Sequence, residues 1–247
     1  RASEMSLAAQ WAVLAARKAV KDACLDLSAM DPFSVDVVVG VSVSSLEGIE
    51  PGFMQDACAG MKHAPARAVV IANPASAAAQ ISLDLGIHGE AVNITTACSS
   101  TTSAIGYALR LIQHGESDCV ITGGADEGVT PLWVGALGNG GHLSKRNAAP
   151  ACASRPFDKG RDGYVLSDAA CLFVVEEYEH ARARGAEIYC ELSGFGASSD
   201  ACSAFKLNKS EEPGARALEK ALFMARRQAD EIDYYCALGV SMQFLDI

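Results

Sequence analysis

Apolar positions along the chain alternate between a helical and an extended period. Leu7, Trp11 and Leu14 recur at helical spacing in an alanine-rich background, predicting a helix over 4–25 that residues 26–32 close. VDVVVGVSV (35–43) is a β-branched run suited to a central strand covered on both faces. Gly48, Pro51 and Gly52 mark a loop, and residues 53–90, with Pro65, Pro74 and Gly86, read as short helices with irregular connections. AVNITTACSS then reads as a strand running into a helix, on which Ala104, Tyr107, Ala108, Leu111 and Ile112 form one stripe. CVITGGADE (119–127) is a further buried strand, and residues 169–185 are a strand followed by a short helix. Strands are also expected at 188–198 and from IDYYCALGV onward, with a helix at 212–228 carrying Leu218, Ala221, Leu222 and Ala225 on one face. Strands alternating with helices predict an α/β fold with both sheet faces covered.

Composition adds limits to this picture. Half of the 247 residues are hydrophobic, enough for a sizeable core. The formal net charge of -10 argues against nucleic acid as a partner, because phosphate binding needs a basic face. No apolar run approaches the roughly 20 residues that span a bilayer, and no signal pattern opens the chain, so a soluble, cytoplasmic protein without membrane association is expected. The nine cysteines are irregularly spaced and lack any C-x-x-C pair. Neither a disulfide framework nor a metal site is signalled, and no cofactor motif occurs. Most of these thiols are expected to be buried small hydrophobes.

Cys98 alone has distinctive neighbours. It lies at the junction of a strand and a helix, where first-turn N–H groups and the positive end of the helix dipole favour a thiolate. Ala97, Ser99 and Ser100 are small enough to admit a substrate, Thr95, Thr96, Thr101 and Thr102 can line the site, and the same N–H groups could hold an oxyanion. Physical chemistry alone leaves open that Cys98 is one more buried small residue.

TTACSS after a strand, then GGADE, SRPFDKGRDGYVL and VVEEYEHARARGA resemble, in order and spacing, the β-ketoacyl synthases of fatty acid and polyketide assembly. The resemblance extends over nearly the whole chain. It implies a thiolase-like fold layered α/β/α/β/α and incomplete in this chain. Residues 1–187 would form the first thiolase-like half without its first strand, and 188–247 the opening of the second. It implies that Cys98, at the buried tip of a helix, accepts an acyl group from an acyl carrier protein. Arg155, Asp158, Arg161 and Asp162 match the family's loop near the site, where paired charges are expected to organise backbone.

The chain also departs from the family. Elongating ketosynthases use two histidines to decarboxylate a malonyl thioester, and the first opens a His-Gly-Thr run that here reads Leu238-Gly239-Val240. Leucine has no polar atom to replace it. The second histidine belongs to a part of the family's sequence beyond residue 247. His63, His88, His114 and His180 lie in loop, helix-end or charged-helix contexts, and His142 sits among glycines in GNGGHLS. SDAA (167–170) stands where the family has a Gly-Glu/Asp-Gly run. A complementing ketosynthase-like polypeptide, in a dimeric assembly, is therefore expected as a partner beside the carrier protein. Lys62/Arg67 and Lys145/Arg146 are candidate carrier-docking clusters. Three functions remain open: a ketosynthase component whose condensation needs that partner, a loading transacylase that performs the acyl transfer alone, and a noncatalytic or decayed scaffold subunit. Retention of Cys98 argues against a chain-length factor, which typically lacks it.

Overall fold

The computed structural model describes residues 4–43, 68–202 and 210–246. The strands β1 (Val35–Gly40), β2 (Ala91–Ile94), β3 (Cys119–Asp126) and β4 (Ala169–Glu176) form one sheet in the order β2-β1-β3-β4. β1 runs parallel to both β2 and β3, and β4 is antiparallel to β3. Every residue of β1 is buried, as its β-branched run requires of a strand covered on both faces.

The two faces of β1 are sorted by the strand's period of two. Val35, Val37 and Val39 join Ile121 and Leu172 in a cluster with α1 (Leu7–Asp22) and α2 (Ser76–Leu85). On the opposite face, Val38 and Val120 pack against Ala104, Ala108 and Leu111 of α3 (Ser100–Gln113). The expected stripe on this helix is thus the buried one, with Tyr107 and Ile112 partly covered at its margin.

The helix at the start of the chain forms, but its buried face differs from the expected one. Ala8, Ala9, Ala12, Val13 and Ala16 point inward, while Leu14 is 52% exposed and Trp11 half-buried. Alanines let the helix axis approach β4 and α2 closely, and this packing decides the face over the larger side chains. Ser6 caps the helix by accepting from the Ala9 N–H, and Glu127, just past β3, accepts from the Ala8 N–H.

Beyond the sheet the chain adds α4 (Pro131–Asn139), α5 (Tyr178–Ala183) and α6 (Glu212–Ala225). The first was not anticipated, although Thr130 with Pro131 behind it is a helix-start signal. Phe195 lies against Gly106 of α3, where an added Cβ would stand 2.3 Å from its ring. Gly194 and Gly196 lie against the backbone of α6. The layers therefore run α1/α2, sheet, α3, the 188–198 segment and α6, the order of a thiolase-type fold. The expected strands at 188–198 and 232–240 do not form, because a strand exists only beside a hydrogen-bonding neighbour and none lies there among the described residues. No helix among the described residues is long and apolar enough to cross a membrane.

Candidate active site

β1, β2 and β3 all end at the same edge of the sheet, and clefts outside the carboxyl ends of parallel strands are where α/β folds place ligands. The edge carries a cleft of about 360 Å³ lined by Gly40 and Ser42, by Ala97, Cys98, Ser100 and Thr101, by Gly124 and Asp126, and by Ser167 and Cys171. Asp126 holds its rim by accepting from the Ser42 and Val43 N–H groups at 2.8 and 3.0 Å. Asp168, within SDAA, does the same for Gly128 and Val129.

Cys98 reaches this cleft through a tight elbow between β2 and α3. Ala97 takes φ 53°, a left-handed conformation that costs a side-chain-bearing residue about 1–2 kcal/mol. Local hydrogen bonds hold it there. The Ser100 hydroxyl donates to Ala97 O at 2.6 Å and accepts from the Thr96 N–H at 2.9 Å, and the Ser99 hydroxyl donates to Thr96 O at 2.8 Å. Two glycines make room for the helix start: a Cβ on Gly40 would lie 2.4 Å from Thr101 N, and one on Gly124 would overlap the Thr101 hydroxyl.

The structure corrects the expectation of a buried thiol at this point: Cys98 is exposed, since nothing among the described residues covers the elbow's outer side. Most other described cysteines are exposed as well, contrary to the expectation from composition. Cys119 alone among them is buried, and burial pushes its thiol up to about 12. The N–H groups of Ser99 and Ser100 are already bound to the carbonyls of Thr96 and Ala97. An oxyanion at Cys98 would therefore draw on the rest of the helix start.

The charged residues of the SRPFDKGRDGYVL loop do what paired charges usually do. Arg155 donates to the carbonyls of Cys152, Ala153 and Gly160 and to Asp162 at 2.9 Å, with Asp158 at 3.7 Å. Asp162 is held below the usual carboxylate range, chiefly by the Ser144 hydroxyl. Arg161 reaches across to the carbonyls of Met242, Gln243 and Asp246. Asp246, its side chain 1% exposed, accepts from the N–H groups of Phe157, Val240 and Ser241. The sequence reading missed Asp246, which lies outside every motif named there. These bonds fasten residues 239–246 onto the loop.

The described histidines are dispersed. His88 stacks on Phe33, His114 lies beside Glu116, and His180 binds Glu176 at 2.9 Å. His142 packs against Tyr164 and Phe244, with ring centroids 6.4 Å apart in each pair. Leu238, at the position where the family's histidine is expected, is 73% exposed. Lys145 and Arg146 are exposed, whereas His63 and the Lys62/Arg67 cluster lie outside the described residues. No group of acidic, histidine and cysteine side chains able to hold a metal occurs among the described residues.

Comparison with known proteins places this geometry. The family model "Beta-ketoacyl synthase, N-terminal domain" matches residues 1–181. The chain is 36% identical to the 3-oxoacyl-[acyl-carrier-protein] synthase 2 of Vibrio cholerae, over all of this chain and 59% of that protein. It is 33% identical to the tetracenomycin polyketide synthase ketoacyl synthase alpha subunit of Streptomyces glaucescens, over 97% of this chain and 58% of that one. Among solved structures, the ishigamide ketosynthase/chain length factor superposes with a TM-score of 0.90 at 31% identity, covering 98% of this chain and 59% of its own. A type II polyketide ketosynthase in complex with its acyl-carrier protein superposes at 0.89 with 28% identity, covering 96% of this chain and 60% of its own. The chain spans about three-fifths of the length of these relatives. With its strand-to-helix elbow, glycine-cradled helix start and layered α/β architecture, the chain belongs to the β-ketoacyl synthase family.

Proposed function

We propose that the protein is a ketosynthase component of fatty acid or polyketide assembly in which Cys98 accepts an acyl group from an acyl carrier protein. The observation that carries this is the elbow, which holds a left-handed Ala97 and presents the next residue's thiol to the cleft at the strands' carboxyl ends. In the reaction, the Cys98 thiolate attacks the carbonyl carbon of the carrier thioester and a new C–S bond forms. The tetrahedral intermediate collapses, the bond to the carrier sulfur breaks, and the carrier thiolate leaves and takes up a proton. The carrier protein is supported by the names of the relatives and by the solved ketosynthase complex. Lys145 and Arg146 offer positive charge for it near the 155–164 loop, to which the Lys145 N–H is bound through Asp162.

Condensation would draw on groups that the described residues do not bring to Cys98. Residues 188–247 are read as the opening of a second thiolase-like half. Its exposed apolar run of Tyr234, Tyr235 and Leu238 suits burial against further β-structure, supplied by a complementing ketosynthase-like polypeptide. A noncatalytic subunit is the second reading, favoured by Leu238 in the histidine position. Incubation with an acyl-carrier-protein thioester followed by intact mass measurement decides between them. The proposed activity gives an adduct that Cys98→Ala abolishes. No adduct, with or without a ketosynthase partner, would leave the scaffold reading.

A further inference from the structure

Two serine hydroxyls bind the backbone of the elbow that carries Cys98, and they are not equivalent. The Ser99 hydroxyl, which donates to Thr96 O, also lies 3.0 Å from Thr96 Oγ1, and that oxygen meets the Ser103 hydroxyl at 3.0 Å. These bonds lie in exposed surroundings, where water replaces a lost partner at little cost. The Ser100 hydroxyl is on the inner side. Ser100 is 3% exposed, and its backbone is so close to β1 that a Cβ on Gly40 would stand 2.4 Å from its carbonyl carbon. From this anchored place its hydroxyl spans the Thr96–Ala97 pair, accepting from the N–H that enters it and donating to the carbonyl that leaves it. That carbonyl belongs to the peptide leading into Cys98. The strain of a left-handed alanine and the contribution of two such hydrogen bonds are of the same order, so the φ of 53° at Ala97 depends on the pair.

We propose that Ser100 is a positioning residue for Cys98: by holding Ala97 left-handed it keeps the sulfur turned into the cleft that Ala97, Cys98 and Ser100 line together. This rests on the acyl-transfer reading above for the use made of the sulfur, and extends it to the residue that aims it. Without the hydroxyl, the Thr96 N–H loses its acceptor on the buried side of the elbow, and Ala97 relaxes toward the negative φ that alanine prefers. Turning that peptide carries Cys98 away from the cleft and toward the outer side of the elbow, which nothing among the described residues covers. Ser99, tied only on the exposed side, has no such hold on the direction of the thiol.

Two thiol reagents of different size read the sulfur's direction. Iodoacetamide fits a cleft of about 360 Å³, whereas a maleimide carrying a polyethylene glycol chain favours a sulfur turned outward. The ratio of their alkylation rates at Cys98, followed by mass spectrometry of the peptide that carries it, does not depend on how much of the thiol is ionised, because both reagents consume the thiolate. Ser100→Ala is expected to raise the maleimide-to-iodoacetamide ratio about tenfold and to slow acylation by a small acyl thioester by a similar factor, while Ser99→Ala moves the ratio by less than about twofold. Ala97→Gly supplies a residue that takes positive φ without strain, so with A97G in place S100A should change the ratio by less than about threefold. Ser100→Thr and Ser100→Val, alike in shape and differing in the hydroxyl, repeat the comparison with the space filled, and only the valine variant should shift the ratio. Protected amides in β1 and β3 establish that each variant is folded. A ratio in S100A equal to that of the wild type, or a change as large with A97G as without it, would overturn the proposal. Neither reagent needs an acyl donor, so a wild-type chain that takes no acyl group would sink the acyl-transfer reading while the ratios still decide the role of Ser100.

Discussion

The first 183 residues and the last 60 are made from similar sequence patterns yet are stabilised unequally. β1 and β3 each have a strand on both sides and a helix layer on both faces, so their backbone and side chains are satisfied together. Residues 188–198 and 232–240 are as apolar, but Tyr189, Tyr234 and Tyr235 are exposed and no ladder forms among the described residues. Apolar content predicts burial only when something lies opposite. The elbow that carries Cys98 belongs to the first region, while Leu238, at the position where a histidine is expected, belongs to the second. The proposed nucleophile thus lies in the satisfied region, and the position where the family's histidine is expected lies in the unsatisfied one.

The sharpest way to break this contrast is to put one charge into each region. Val38→Asp buries an unpaired carboxylate in the fully covered strand β1 and is expected to cost more than about 4 kcal/mol, enough to unfold the chain. Tyr234→Asp, at a position 80% exposed, should change stability by less than about 0.5 kcal/mol. Urea denaturation of both variants measures the difference. Equal losses would mean that the second region is covered in solution.

Glycines test the same comparison more gently. Gly40→Ala would place a Cβ 2.4 Å from backbone atoms of Ser100 and Thr101 and is expected to cost about 1–3 kcal/mol. Because that contact sets the start of α3, alkylation of Cys98 should slow as well. Gly196→Ala would bring a Cβ to 2.0 Å from Ala217 O, with a local result. Amide hydrogen exchange should show α6 losing protection while the sheet keeps it and Cys98 reacts at its wild-type rate.

Much of the first region was legible in the sequence because strand burial and helix stripes leave periodic traces. β1, β3, β4 and the stripe on α3 lie where their patterns put them. The junction at Cys98 was legible through its neighbours, since Ala97, Ser99 and Ser100 are the small and polar residues an elbow needs. Three features were not. The left-handed φ of Ala97 has no glycine to announce it. The exposure of Cys98 depends on what covers the elbow rather than on its own residues. Asp246 acts through backbone groups far apart in sequence, and no spacing encodes such pairs.

Asp246 joins the two regions, and its titration gives a smaller, local test. Burial works against the charged form. The three backbone N–H groups and Arg161 outweigh it and hold the carboxyl below its ordinary value. A carboxylate depressed on folding contributes stability that is present above its unfolded pKa of about 3.9 and lost as pH falls through the folded value. The fastening of residues 239–246 should therefore persist through mildly acidic pH and release only below about pH 4. Asp246→Asn keeps the shape but loses the charge, and amide exchange at Val240 and Ser241 should speed up about tenfold at neutral pH. Unchanged exchange would show that the turn is held by Arg161 and Ser241 without the carboxylate.

The smallest expected effect addresses α1, where side-chain size misled the reading. Leu7, Trp11 and Leu14 mark one face of this helix, yet the alanines and Val13 mark the buried one, where β4 and α2 come close. Leu14→Gln should then shift stability by less than about 0.5 kcal/mol, since a half-exposed leucine leaves little apolar surface to lose. A loss of about 2 kcal/mol or more would be the cost of truncating a buried leucine. It would mean that a further element covers the outer face of α1 in solution, making this face a second surface on which the chain meets a partner.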